Sequence, residues 1–125
     1  MTRIIIAGSR NFNDYTKMLN TLDELGIHLI NTVDPVEIIS GHASGADTLG
    51  EKFAKAYGYP LKIFPADWNT YGRSAGPIRN KQMAEYAAAA DRGILIAFPI
   101  GESRGTRNMI KLAKQYGLEV EVVES

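Results

Sequence analysis

Two runs of this chain, residues 3–7 (Arg-Ile-Ile-Ile-Ala) and 93–98 (Gly-Ile-Leu-Ile-Ala-Phe), are apolar at every position after Arg3 and too short to be buried helices. A strand without a polar face has to be covered on both sides, which is the situation of a central strand in a parallel sheet flanked by helices. Three further strand-like runs are less uniform. Val36-Glu-Ile-Ile stops at Ser40-Gly41, Leu61-Lys-Ile-Phe carries Lys62, and Leu118, Val120 and Val122 alternate with Glu119 and Glu121. The last two of these read as sheet edges.

Helical spacing fills the intervals. Tyr15, Met18, Leu19, Leu22 and Leu25 recur on one face, and Gly26 closes that helix as its C′ residue. Residues 27–35 read as a loop ending in Asp34-Pro35. A second helix sets Ala46, Leu49, Phe53 and Ala56 on one face, opens with capping-box-like spacing at Ser44 and Asp47, and ends at Gly58. A third runs to about Ala90 and buries Met83, Ala84, Ala87 and Ala90; its alanines imply close packing, on the sheet or on a partner. The fourth begins at Ser103, buries Met109, Leu112, Ala113 and Tyr116, and is closed by Gly117. The alternation predicts a single three-layer α/β domain over residues 1–125 with a five-stranded, mostly parallel sheet. With right-handed crossovers the expected strand order is 3-2-1-4-5. Order 2-1-3-4-5 is the alternative, disfavoured because it buries the third strand.

Composition removes several chemistries. Cysteine is absent, which excludes disulfides and thiolate sites, and two histidines, His28 and His42, are too few for a histidine-based metal site. No apolar run approaches the ~18 residues of a membrane span. The opening residues read as a strand rather than a leader, so the cytosol is the expected location. No cofactor is expected. Lys+Arg and Asp+Glu balance at 14 each, leaving no overall field to attract a polyanion. Of the seven arginines, Arg10, Arg73, Arg79, Arg104 and Arg107 fall in loops or first helical turns. That placement points to a local anionic ligand rather than a nucleic-acid surface.

Four polar, glycine-bearing segments follow the strands, at the end of the sheet where ligands of open α/β folds bind. The first is Gly8-Ser9-Arg10. The second, Ser40 to Asp47, holds Gly41, Gly45 and Asp47. The third, Pro65 to Lys81, carries Asp67, Trp68, Tyr71, Arg73, Gly76, Arg79 and Asn80. The fourth, Gly101 to Asn108, holds Glu102, Ser103, Gly105 and Thr106. Pro77 suits the first position of a helix entered through Gly76. Arg79, Asn80 and Lys81 then crowd a helix N-terminus, where cations are unfavourable unless an anion is bound. Each segment also has a structural reading. Gly8-Ser9-Arg10 is equally a strand-to-loop turn, Asp47 equally a capping carboxylate, and Trp68 equally a packing lid or a base-stacking ring. His42 is isolated and reads as a surface residue. Neither a Walker A lysine motif nor a Gly-x-Gly-x-x-Gly fingerprint occurs.

In combination, Gly8-Ser9-Arg10, Ser40-Gly41-x-x-x-Gly45-Ala46-Asp47, Pro65-Ala66-Asp67-Trp68, Ala75-Gly76-Pro77-x-Arg79-Asn80-x-x-Met83 and Ser103-x-Gly105-Thr106 resemble the YspA-type, cpYpsA-related branch of the SLOG superfamily. The resemblance covers nearly the whole chain in order. It implies a Rossmann-like domain that binds nucleotides or nucleotide-derived ligands, and it implies dimers. Branches of the superfamily include the LOG phosphoribohydrolases, which cleave the N-glycosidic bond of nucleoside monophosphates, and DprA-like DNA-binding proteins. Two departures stand out. Met109 occupies the place of the glutamate in the LOG motif Pro-Gly-Gly-x-Gly-Thr-x-x-Glu. His42 and Ser44 sit in a loop that commonly reads Gly-Gly-Ala-Arg-Gly-Ala-Asp, so an arginine is missing.

The expected function is binding of a small nucleotide-type ligand by a homodimer, with no membrane partner. Ser9, Arg10, Arg79, Ser103, Gly105 and Thr106 are expected around the phosphate, Trp68 or Tyr71 near the base, and Asp47 or Asp67 near the ribose hydroxyls. An N-glycosidase is the alternative, and it wants a carboxylate near the anomeric carbon. Asp47, Asp67 and Glu102 are the candidates. DprA-like binding of single-stranded DNA is the third reading, disfavoured by neutral net charge and by a single loop holding Trp68.

Overall fold

The computed structural model describes residues 1–124. Its centre is β1 (Thr2–Gly8), which pairs in parallel with β2 (Val36–Ser40) on one side and β4 (Arg92–Phe98) on the other. β3 (Leu61–Ile63) adds to β2, and β5 (Glu119–Val122) adds to β4. The sheet therefore has five parallel strands in the order β3-β2-β1-β4-β5. The alternative order fails because β3 pairs with β2 and never reaches β1. Every central position is covered, as the apolar runs require: Ile4, Ile5 and Ile6 of β1 and Leu95, Ile96 and Phe98 of β4 are fully buried.

Alternation along each strand divides the core in two. Ile4, Ile6, Ile38 and Ile96 face α1 (Tyr15–Glu24), α2 (Ile27–Val33) and α3 (Ala46–Tyr57), where Met18, Leu22, Ile27 and Phe53 meet them. Ile5, Ala7, Ile39 and Leu95 face α5 (Ala75–Ala88) and α6 (Arg104–Gln115), where Met83, Ala84, Ala87, Met109 and Ala113 meet them. Ala84 and Ala87 of α5 thus lie against the sheet, while Ala88 is exposed. This is an α/β, Rossmann-like architecture. Among the described residues no helix is long and apolar enough to cross a membrane.

Local structure departs from the sequence reading in five places. Residues 27–33 are helical, entered through left-handed Gly26 and ended at Asp34, which is held extended by the following proline. The stretch around Trp68 is also helical: α4 (Trp68–Tyr71) is capped by the Asp67 carboxylate, which accepts from the Thr70 N–H at 3.1 Å. A 3-10 turn at Gly72–Ser74 leads into α5, so Pro77 is the third helical residue, still within the first turn, where no intrahelical N–H bond is lost. Ser44 caps nothing; Gly45 is the N-cap of α3. Finally, Ala56 is exposed and Ala90 only half-buried, while Gly50 and Ala54 carry the inner face of α3.

Gly50 sets how closely α3 lies on β1. A Cβ there would sit 2.9 Å from Cβ and Cγ2 of Ile6, the rigid branched part of that side chain. Gly50→Ala is expected to lower stability by about 1–3 kcal/mol through overpacking, even though alanine is the better helix former by about 1 kcal/mol. Urea unfolding checks this; a higher midpoint in the variant would contradict the packing described.

Candidate functional site

Because all five strands are parallel, the segments after β1, β2, β3 and β4 emerge at one end, and between them lies a cavity of about 640 Å³. Ligand pockets of small molecules commonly span ~300–1,000 Å³. The wall is formed by Gly8, Ser9 and Arg10 after β1, Ala43 and Asp47 after β2, Trp68, Gly76, Arg79 and Asn80 after β3, and Ser103, Gly105 and Thr106 after β4. Arg104, Asn11 and Asn108 join them, with Pro77, Met83, Ile100 and Met109 supplying apolar wall.

Several of these residues build the cavity rather than offer free groups to it. A Cβ on Gly8 would lie 2.6 Å from the Phe98 carbonyl oxygen and 2.7 Å from Ala46 Cβ, so the end of β1 is wedged between β4 and α3. Gly45, at φ 79°, presses its α-carbon toward the Ser9 carbonyl and does not line the cavity. The Ser9 hydroxyl accepts from the Ile100 N–H at 2.7 Å and donates to the Ile100 carbonyl at 3.4 Å. Asn80 is buried between α5 and α6. Its Oδ1 accepts from Arg79 Nε at 3.0 Å, and its Nδ2 donates to the Gly105 carbonyl at 3.2 Å and to Asn108 Oδ1 at 2.9 Å.

Arg79 is held by its backbone and amide neighbours, not by a carboxylate. Besides the bond to Asn80, its Nη1 donates to the Gly41 carbonyl, and Gly41 leaves the room for this: a Cβ there would meet Nη1 at 2.6 Å and Asp47 Oδ2 at 2.9 Å. Two of the five guanidinium N–H groups are used, so three have no partner among the described residues. Burial lowers the Arg79 pKa, the nearby Asp47 raises it, and Arg10 lowers it. Arg10 and Arg104 are exposed on the same wall and form no ion pair among the described residues.

Asp47 is the one candidate carboxylate on the wall, 4% exposed. Burial pushes its pKa up to about 6. The Ala43 N–H, which it accepts at 3.3 Å, and the Arg79 charge pull the other way, and Glu51 pushes further up. Asp67 is spent on the α4 cap, and Glu102 is exposed and off the wall, as are Tyr71 and Arg73. His42 is exposed but not isolated. In a left-handed conformation, φ 61°, its Nδ1 lies 2.9 Å from Glu51 Oε2, which also accepts from the Ser40 hydroxyl at 2.7 Å.

The N-terminus of α6 completes the wall. Ser103 is left-handed at φ 35°, and its hydroxyl donates to Thr106 Oγ1 at 2.7 Å instead of capping the backbone. The first intrahelical bond at this end is from Arg107 N–H to the Ser103 carbonyl at 3.0 Å. The N–H groups of residues 104–106 precede it, and a Cβ on Gly105 would meet nothing within 4 Å. Three backbone donors without an intrahelical partner and the positive end of the helix dipole therefore lie at the cavity wall. Sequence patterning singles out Ser103, Gly105 and Thr106 here, counts Arg104 among the arginines placed for an anion, and passes over Asn11 and Asn108.

The profile of the YspA, cpYpsA-related SLOG family matches residues 2–71. That match ends before Arg79 and the start of α6. The chain is also 33% identical over 126 residues to the Gene 61 protein of Mycobacterium phage D29, an alignment covering 96% of this chain and 94% of that protein. No solved structure matches.

The burial of Asp47 has a pH signature. Its carboxyl titrates near 6 in the folded chain against an ordinary value of 3.8. Below 3.8 both folded and unfolded chains hold the proton. Between 3.8 and 6 only the unfolded chain ionises, so stability falls across that window and stays low above it. Asp47→Asn, which removes the ionisation, is expected to be neutral near pH 4 and to stabilise the ligand-free protein by about 3 kcal/mol above pH 7. Denaturation midpoints of both proteins from pH 4 to 8 check it; a variant less stable than the native chain at pH 8 would contradict it.

Proposed function

The chain belongs to the YspA, cpYpsA-related SLOG family, and we propose that it binds a nucleotide or nucleotide-derived phosphate ligand in the cavity at the carboxyl ends of the strands. One observation carries the reading: the cavity has donors in surplus and almost no acceptors to match them. Arg79 keeps three unpartnered N–H groups, and one amide away, across Asn80, stand the free backbone N–H groups of α6. A phosphate supplies the missing acceptors, taking charge-assisted bonds from the guanidinium fork and the helix N-terminus together. In this reading Arg10 and Arg104 close over the phosphate, Trp68 lies along the base, and Asp47 takes a ribose hydroxyl. Gly41, Asn80 and Ser9 hold the donors in place. The chain acts as one domain, and the protein as a homodimer, for which light scattering at micromolar concentration should give twice the monomer mass.

A second reading draws on Asp47. A buried carboxyl titrating near 6 is suited to proton transfer near neutrality, and hydrolysis of a nucleoside phosphate at its N-glycosidic bond needs such a group. Water would add to the anomeric carbon and the base would leave with a proton. The buried Met109 on the cavity wall cannot do this. Chromatography for free base released from nucleoside monophosphates decides it: activity lost in Asp47→Asn supports hydrolysis, and no release by the native protein rejects it.

For binding, calorimetry against nucleoside mono-, di- and cyclic phosphates is the test, with Arg79→Ala beside the native chain. The variant should lose about 2–5 kcal/mol of affinity, as when one partner of a buried charged pair is truncated. Arg79→Lys should recover only part, because an ammonium cannot copy the planar fork. Unchanged affinity in Arg79→Ala would remove Arg79 from the phosphate site.

A further inference from the structure

We propose that the cavity accepts nucleotides without regard to their base, fixing the phosphate by built contacts and the base by stacking and apolar contact alone. The inference rests on the phosphate-binding reading above and specifies its ligand class. Strong discrimination between bases needs fixed donors and acceptors that the wrong base would leave unpaired. The polar side chains of the wall do not provide such a set, because most are already committed.

Ser9 uses its hydroxyl on both backbone groups of Ile100. Asn80 spends its carbonyl on Arg79 and its amide on Gly105 and Asn108. Ser103 donates its hydroxyl to Thr106, whose own O–H is left as a lone donor. In the reading above the guanidinium groups of Arg10, Arg79 and Arg104 are taken by the phosphate and Asp47 by a ribose hydroxyl, which leaves none of them to read the base. Two amides remain. Asn11 is exposed at the mouth and makes no side-chain bond among the described residues. Asn108 has its Oδ1 engaged by Asn80, and its N–H groups have no partner among the described residues. A lone donor of that kind finds a ring nitrogen or carbonyl acceptor on every nucleobase and so cannot tell one from another.

The remaining wall favours the same outcome. Pro77, Met83, Ile100 and Met109 are apolar, and Trp68, half-exposed, lies with its ring edge 3.5 Å from the position of a Cβ on Gly76. An indole stacks on any base, since every base has a π-face.

Calorimetric titration of the full chain with AMP, GMP, CMP and UMP at one pH and salt concentration tests this. All four are expected to bind within about five-fold of one another, a spread of stacking strength rather than of readout. Trp68→Ala should weaken all four, roughly 5- to 150-fold, and narrow the spread between them, and Trp68→Phe should restore most of the affinity. Trp68 stands on the surface, so both variants should melt with the native chain. One nucleotide bound more than about 50-fold tighter than the others, or a spread that widens in Trp68→Ala, would overturn base indifference while leaving the phosphate site intact. Failure of all four to bind would overturn the nucleotide reading and this inference together.

Discussion

Everything at the carboxyl end of the sheet depends on how tightly the end of β1 is clamped. Gly8 has the Phe98 carbonyl on one side and Ala46 on the other, both closer than a side chain would permit. Immediately beyond, the α-carbon of Gly45 closes on the Ser9 carbonyl, which accepts the Ala46 and Phe12 N–H groups at 3.3 and 3.1 Å. The Ser9 hydroxyl then reaches across to Ile100. Three loops that are far apart in sequence are thereby fixed against one strand end. The cavity is the space left between this clamp and α5, which approaches from the other face.

Into that space the fold directs donors without a matching set of acceptors. In a typical protein a half-buried arginine is paired with a carboxylate. Here Arg79 has a backbone carbonyl and a side-chain amide, and the nearby Asp47 is itself driven toward its neutral form by burial. One carboxylate on the wall cannot offset the three guanidinium groups of Arg10, Arg79 and Arg104. The free end of α6 adds partial positive charge from residues 104–106. The wall is left electropositive inside a protein of zero net charge, so no extended field recruits a polyanion.

The sheet order was legible in the sequence because the physics is stated twice: Ile4 to Ala7 and Ile94 to Phe98 have no polar face, and the edge strands carry Lys62, Glu119 and Glu121. The short helix at residues 27–33 was not, because Ile27 and Ile30 turn inward while Leu29 and Val33 point to solvent, too brief a pattern to show a period. The convergence of four loops followed from strand direction alone. The division of labour within them did not. Ser9 and Asn80 look like ligand contacts until their partners are seen, and Ile100, Gly105 and Asn108 lie 25 or more positions away. Asp47, Asp67 and Glu102 are equivalent as letters; the α4 cap that occupies Asp67, and the burial of Asp47 on the cavity wall, separate them only in the fold.

The most direct measurement is amide chemical-shift mapping of the isotopically labelled protein during titration with a nucleoside monophosphate. The surplus of donors predicts the largest shifts at the N–H groups of Arg104, Gly105 and Thr106, with a second group at Gly41 and Arg79, and saturation of all of them at one common affinity. Shifts confined to other surfaces, with residues 104–106 unmoved at saturation, would contradict it.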